Sequence, residues 1–241
     1  MQGAWVSDTS GLLGLAFPGL TSGYVGNDPT KDDTNAQAHY PSILQLMFDS
    51  DLVKPHQFTL AISRDASQKG NGGVLALGDP SSILSDANVA ADTSKTATVP
   101  LEVTNNFPWY AFYSLTVDQV VYTGTSTSAH QYSLDCGSQH LYLHDYDAAH
   151  LAPLYDPPAT KDSASFYTVP CNSKPPKLSF RFGTVTIDIN EADMILTDPQ
   201  LPNGTCFPAV QSENYVGRPI LGDPFFRNVV AIHDWDKMQM Q

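Results

Sequence analysis

The chain is short of positive charge, cysteine and long apolar runs, and each shortage removes a class of function. Twelve Lys and Arg stand against 25 Asp and Glu in 241 residues, a formal net charge of −13. So acidic a surface repels phosphate backbones and anionic headgroups, which argues against nucleic acid or membrane as partner. No apolar stretch approaches the roughly 18 residues that a spanning helix needs. The opening Met1-Gln2-Gly3-Ala4-Trp5 has neither a basic head nor an apolar core, so no signal peptide is expected in this chain. The cysteines, Cys136, Cys171 and Cys206, make no Cys-x-x-Cys pair, so a structural zinc site lacks its ligand spacing. No phosphate-cradling glycine loop is present, and Gly70 to Gly73 reads as a hairpin turn. A Gly-x-Ser-x-Gly nucleophile elbow is missing too.

What is present is a core and a β pattern. Hydrophobic residues make up 41% of the chain, enough to fold rather than stay disordered. Phe58 to Ser63 and Val74 to Leu77 alternate apolar and polar, and Tyr113 to Tyr122 reads as one further strand. Leu178 to Phe182 turns at Gly183 into Val185 to Ile189, a hairpin with period-two patterning on both arms. Short strands at turn-bounded spacing predict sandwiched or barrel-like sheets. Helices are few. Ile43, Leu44, Met47 and Phe48 share a helical face begun by Pro41-Ser42, and Tyr146 to Leu154 and Pro224 to Val229 predict two more. Asn27 to Gln37 reads as a loop, and Ser81 to Lys95 as a connector between two lobes. The acidic balance has two readings. One is a solvated surface; the other is acid working conditions, because few native ion pairs are then lost as carboxylates protonate.

Two segments echo each other: Gly11-Leu12-Leu13-Gly14-Leu15 near the start and Pro219-Ile220-Leu221-Gly222-Asp223 near the end. A glycine after two aliphatics lets one backbone pass close to another, since no Cβ intervenes. Upstream of the second echo lies Ser133-Leu134-Asp135-Cys136-Gly137-Ser138. An aspartate at a strand end, followed by a tight glycine bend and a hydroxyl, presents a carboxylate surrounded by donors. Taken alone, the tetrapeptide reads as an ordinary Asx turn.

The ordered set is more specific than its parts. Asp135-Cys136-Gly137-Ser138, Leu141-Tyr142-Leu143, a helix near Ala148, Cys171, Cys206, Ile220-Leu221-Gly222-Asp223, Arg227-Asn228-Val229 and Asp234-Trp235 follow one another as in the pepsin-like aspartic endopeptidases. The chain resembles that family from about Gly11 to Trp235. The resemblance implies an all-β bilobal fold, with residues 1–89 as the later part of an N-terminal lobe plus connector and residues 90–241 as a complete C-terminal lobe. It implies peptide-bond hydrolysis at acidic pH, a polypeptide substrate or peptide-like inhibitor in the cleft, a water nucleophile, no cofactor and no metal. Asp135 is then a catalytic carboxylate, with Gly137 and Ser138 lining the substrate site. It further implies a Cys171–Cys206 disulfide, which loop-closure entropy values at about 4 kcal/mol. A monomer of extracellular or vacuolar residence is expected, and the sequon Asn203-Gly204-Thr205 makes Asn203 a glycosylation candidate.

Three departures bear on activity. The family uses two aspartates, one per lobe, and these 241 residues show one such turn; Asp8-Thr9-Ser10-Gly11 lacks the glycine two residues after Asp8 and reads as a loop. The flap hairpin and several N-terminal-lobe strands belong to a portion upstream of Met1, so the isolated chain is expected to be inactive. Cys136 stands where relatives carry the Thr or Ser hydroxyl that links the two catalytic turns, and a thiol bonds weakly. A non-proteolytic member that binds peptides or proteins is the alternative, and a homodimer with one aspartate per subunit is another. His140, His144 and His150, with Asp145 and Asp147, suggest a metal cluster by proximity, but the residues between the first two read as strand, so surface histidines are expected instead.

Overall fold

A computed structural model describes residues 12–21, 23–24, 26–33, 37–63, 72–85, 89, 91–162, 164–197, 201 and 204–241. Short strands gathered into several sheets dominate them, and the longest helices, Ile43–Asp49 and Asp145–Leu151, have 7 residues each. The arrangement is all-β. Asn203 and the Asp8–Gly11 look-alike lie outside the described residues.

One five-stranded antiparallel sheet runs Gly73–Leu77, Gln57–Ile62, Val230–Asp234, Gln239–Met240, Val99–Pro100. It therefore takes strands from both sides of the expected boundary near residue 90. Gln57–Ile62 does not alternate as expected: Phe58 and Thr59 are both buried, so both faces are covered. Phe58 stacks on His233 at 4.0 Å between ring centroids and meets Tyr113 at 5.7 Å, and the helix Asp223–Phe226 also lies against this strand. The neighbouring Gly73–Leu77 is the edge strand, with Leu75 and Leu77 exposed.

The second five-stranded sheet is mixed, in the order Val210–Ser212, Leu141–Leu143, Ile220–Leu221, His130–Leu134, Tyr113–Val117. Ile220–Leu221 lies between two strands, parallel to Ser133 and Leu134 on one side and antiparallel to Tyr142 on the other. The single strand predicted over Tyr113 to Tyr122 is in fact two. Tyr113–Val117 belongs to this sheet, and Gln119–Tyr122 pairs with Leu178–Phe182 in another. Asp118 makes the break: its amide donates to Arg181 O at 2.9 Å and its carboxylate accepts from the Gly183 amide. Asp118 itself, a residue depleted in strands, is the one local mark of a junction between two strand-forming runs. The Leu178–Phe182 hairpin returns as expected through Gly183, whose φ of +59° favours glycine, and ends at Asp188.

The other four-stranded sheet carries the disulfide. Cys171, just past Tyr167–Pro170, is bonded to Cys206 on Thr205–Pro208. Cys206 is fully buried, while Cys136 is a free, exposed thiol.

The helices refine the sequence reading. Ser42 caps Ile43–Asp49 by accepting from the Gln45 amide at 3.2 Å, as Pro41-Ser42 suggested. Its buried face is Leu44 and Phe48, and Ile43 points outward, so the apolar stripe is narrower than expected. The expected Tyr146–Leu154 helix is Asp145–Leu151 continued by a 3-10 turn at Ala152–Leu154, and the last helix is only Asp223–Phe226. Within the Asn27–Gln37 stretch a 3-10 turn forms at Pro29–Lys31, capped by Asp28.

An aromatic knot ties the early residues to the rest. Phe17 lies 4.8 Å from both Tyr113 and Trp235, centroid to centroid. The Tyr113 hydroxyl donates to Leu15 O and accepts from Trp235 Nε1 at 3.1 Å.

Candidate active site

Asp135 is the first residue past the strand His130–Leu134, where the chain must leave the sheet. Its amide donates to Leu221 O at 3.1 Å, which fixes it against the neighbouring parallel strand. The backbone then folds back, with Ser138 N donating to Asp135 O at 3.0 Å. Inside this bend the Gly137 amide donates to Asp135 Oδ1 at 2.9 Å, and Ser138 Oγ donates to Oδ2 at 2.7 Å. Both carboxylate oxygens are thus held by the two residues picked out in the sequence. A Cβ on Gly137 would stand 3.1 Å from Asp135 Oδ1, crowding the carboxylate.

The second echo explains why the loop stays in place. Gly222 follows Ile220–Leu221, and a Cβ built on it would meet Ser138 O and His140 O at 2.3 Å each. Backbone passes through the mouth of the aspartate loop there, and the next amide, Asp223 N, donates to Ser138 O at 2.8 Å. The first echo has no such neighbour among the described residues. A Cβ on Gly14 meets nothing within 4 Å, and Leu12 and Leu13 are 86% and 56% exposed, against 4% and 0% for Ile220 and Leu221.

Three ionisable neighbours set the electrostatics. Burial pushes the Asp223 carboxyl up to about 6; Arg227 pulls against this and the Asp135 charge adds to it. Desolvation, then the charges of Asp135 and Asp223, raise the Cys136 thiol to about 11, so it stays protonated at neutral pH. Burial lowers Arg218, and the Asp135 charge opposes that shift. The Arg218 guanidinium carbon lies 3.8 Å from the centroid of the Phe112 ring. Asp223 was legible as part of Ile-Leu-Gly-Asp, though not as a raised carboxyl beside Asp135. Arg218 was missed, because an arginine before a proline in a turn matches no motif.

The histidines do not converge. His140 is not at the surface: its ring is buried among Tyr142, Phe166 and Phe207. His144 Nδ1 meets Glu213 Oε1 at 2.8 Å, and His150 Nδ1 meets Tyr146 O at 2.7 Å. The strand Leu141–Leu143 lies between the first two, as expected, and their rings meet different partners, Phe166 and Phe207 for His140 and Glu213 for His144.

The family model described as eukaryotic aspartyl protease matches residues 2–241, and the chain belongs to that family. It is 31% identical over 252 residues to a probable aspartic-type endopeptidase of Aspergillus fumigatus, covering 98% of this chain and 54% of the relative. A probable aspartic-type endopeptidase of Arthroderma otae is 24% identical over 207 residues, covering 84% of this chain and 50% of that protein. The chain spans about half the length of these two relatives.

Proposed function

We propose that this chain carries one catalytic half of an acid endopeptidase, with Asp135 as one of two carboxylates that activate water against a peptide bond. The reading rests on the Asp135 carboxylate, held by Gly137 N and Ser138 Oγ at an accessible strand end. In such a pair, two carboxylates about 3 Å apart share one proton. The ionised member takes a proton from water as the water attacks, and the protonated member gives its proton to the carbonyl oxygen. Gly137 and Ser138 keep Asp135 aimed at that water, and no other group need enter the chemistry. Among the described residues no second aspartate sits in a like loop. In this reading the pair is completed only in a longer form, and the isolated 241 residues do not cut peptides.

Residues 90–241 form the catalytic lobe in this reading. The protein acts as a monomer on extended polypeptides, in an extracellular or vacuolar compartment. Incubation with a denatured protein at acidic pH tests it. The isolated chain should release no peptides, whereas a longer form containing it should, with pepstatin blocking release and Asp135→Asn abolishing it. Cleavage that survives Asp135→Asn would sink the reading. Cys136 supports a second one: a thiol in place of the hydroxyl that links the catalytic turns suits a lobe that binds peptides without cutting them. Peptide capture unchanged in Asp135→Asn, with no cleavage by the longer form, would favour it.

A further inference from the structure

Arg218 is one of only twelve cations in a strongly acidic chain, yet no carboxylate pairs with it among the described residues. It is half-buried, its Nε is buried without a hydrogen-bond partner, and its guanidinium lies over Phe112. Phe107 meets Phe112 edge-on at 5.7 Å, which holds that platform in place. Withdrawing a guanidinium from water is costly unless an anion or a full set of acceptors meets it. The aromatic face offsets only part of that cost. The cost falls on the buried Nε, while the remaining N–H groups of this half-exposed side chain have no protein partner among the described residues and stay open to an anion. The site lies within electrostatic reach of Asp135, and Arg218 leads through Pro219 directly into Ile220–Leu221, the strand beside the aspartate loop.

We propose that Arg218 is a specificity-determining residue: it receives the carboxylate of an acidic side chain on a peptide lying across Asp135. The planar guanidinium, steadied by Phe112, presents its N–H groups as a fork to that carboxylate. Preference follows the ionisation of the peptide side chain, so it is strong above about pH 4.3, the ordinary glutamate value, and fades below it. This inference rests on the peptidase reading, and the experiment separates the two.

The probes are hydroxyethylene peptide isosteres, which carry a non-cleavable analogue of the scissile bond. A neutral parent is compared with versions bearing Glu or Gln at each of three positions on either side, titrated calorimetrically at pH 5.5 and pH 3 into the longer form that supplies the second carboxylate. One position should favour Glu over Gln by about tenfold at pH 5.5, the worth of one charge-assisted hydrogen bond. That preference should vanish at pH 3 and in Arg218→Gln, and persist in part in Arg218→Lys. Equal binding of Glu and Gln at every position, with the neutral parent bound, overturns this inference alone. So does a preference that survives Arg218→Gln. Failure of every isostere, the parent included, overturns the peptidase reading and this inference with it. Should Arg218→Gln fail to fold, the pH comparison in the wild-type chain and the Arg218→Lys variant decide.

Discussion

Replacing Gly222 by alanine should damage both stability and the site, while the same change at Gly14 should not. A Cβ at Gly222 would lie 2.3 Å from two carbonyl oxygens, Ser138 O and His140 O. Carbon and oxygen without strong attraction settle at about 3.3 Å or more, so each contact overlaps by about 1 Å. Ser138 O is not free to move. It accepts from Asp223 N at 2.8 Å, and the Ser138 amide is itself bonded to Asp135 O at 3.0 Å. The backbone at Gly222 has φ −100°, which alanine adopts freely, so the cost is purely steric. Overpacking against fixed neighbours costs about 1–3 kcal/mol, and two backbone contacts put Gly222→Ala at the upper end. Alanine restricts the unfolded chain and returns about 0.4–1 kcal/mol. The net loss is about 2–3 kcal/mol, or about 5–10 °C in Tm for a chain of this size. Gly14→Ala meets nothing within 4 Å and should leave Tm unchanged or slightly raised. Thermal unfolding followed by circular dichroism reads both, and binding of the neutral isostere reports whether the aspartate loop has shifted. A Gly222→Ala protein that melts within about 1 °C of wild type would refute the threaded-backbone argument, as would a Gly14→Ala protein that loses as much.

Tyr113→Phe should cost about 1–3 kcal/mol, because Leu15 O and Trp235 Nε1 both lose their partner; a urea midpoint equal to wild type would contradict this. Cys136, with its thiol raised to about 11, should react with iodoacetamide at pH 8 about a hundred times more slowly than an ordinary exposed cysteine. Asp135→Asn removes one of the charges raising that thiol and should speed the reaction, whereas an unchanged rate would deny the electrostatic link. Between pH 6 and 4 the wild-type chain should lose about 1.4 kcal/mol per pH unit, and Asp223→Asn about twice that; identical slopes in urea titrations would remove Asp223 from the balance.

The fold and half of the site were legible where local pattern and long-range packing agree. Leu178 to Phe182 shows its register in the sequence because one face is buried and the other wet. Phe58 to Ile62 misled because its polar positions, Thr59 among them, are buried in the middle of a sheet whose partners come from residue 230 onward. No local rule sees such a partner. Asp135, Gly137 and Ser138 lie within four consecutive positions, so the hydrogen bonds that join them could be read locally. Arg218 and Phe112 stand more than a hundred positions apart, and only the sheet brings them together. His140 was misjudged because a histidine flanked by Gln139 and Leu141 gives no sign that Phe166 and Phe207 will enclose it.

Those enclosed histidines change what the acidic composition means. Few ion pairs should make acid harmless, but burial holds His140 at about 4 and His233 at about 3, below the unfolded 6.5. A group whose folded pKa is depressed in this way binds protons first in the unfolded chain. Stability is therefore complete above pH 6.5 and falls as pH drops toward each folded value, by about 1.4 kcal/mol per unit per ring. Asp223 works in the opposite sense. Its folded value of about 6 lies above the unfolded 3.8, so the folded chain takes the proton first and gains stability as pH falls from 6 to 3.8. Between pH 6 and 4 two rings oppose one carboxyl, and the net loss is that of a single ring. Below 3.8 the gain from Asp223 is spent while His233 continues to titrate. The carboxyl that relieves acid stress is bonded through its own amide to the loop of Asp135, at 2.8 Å from Ser138 O. Acid therefore strips stability from the two buried rings while it relaxes the charge repulsion beside Asp135.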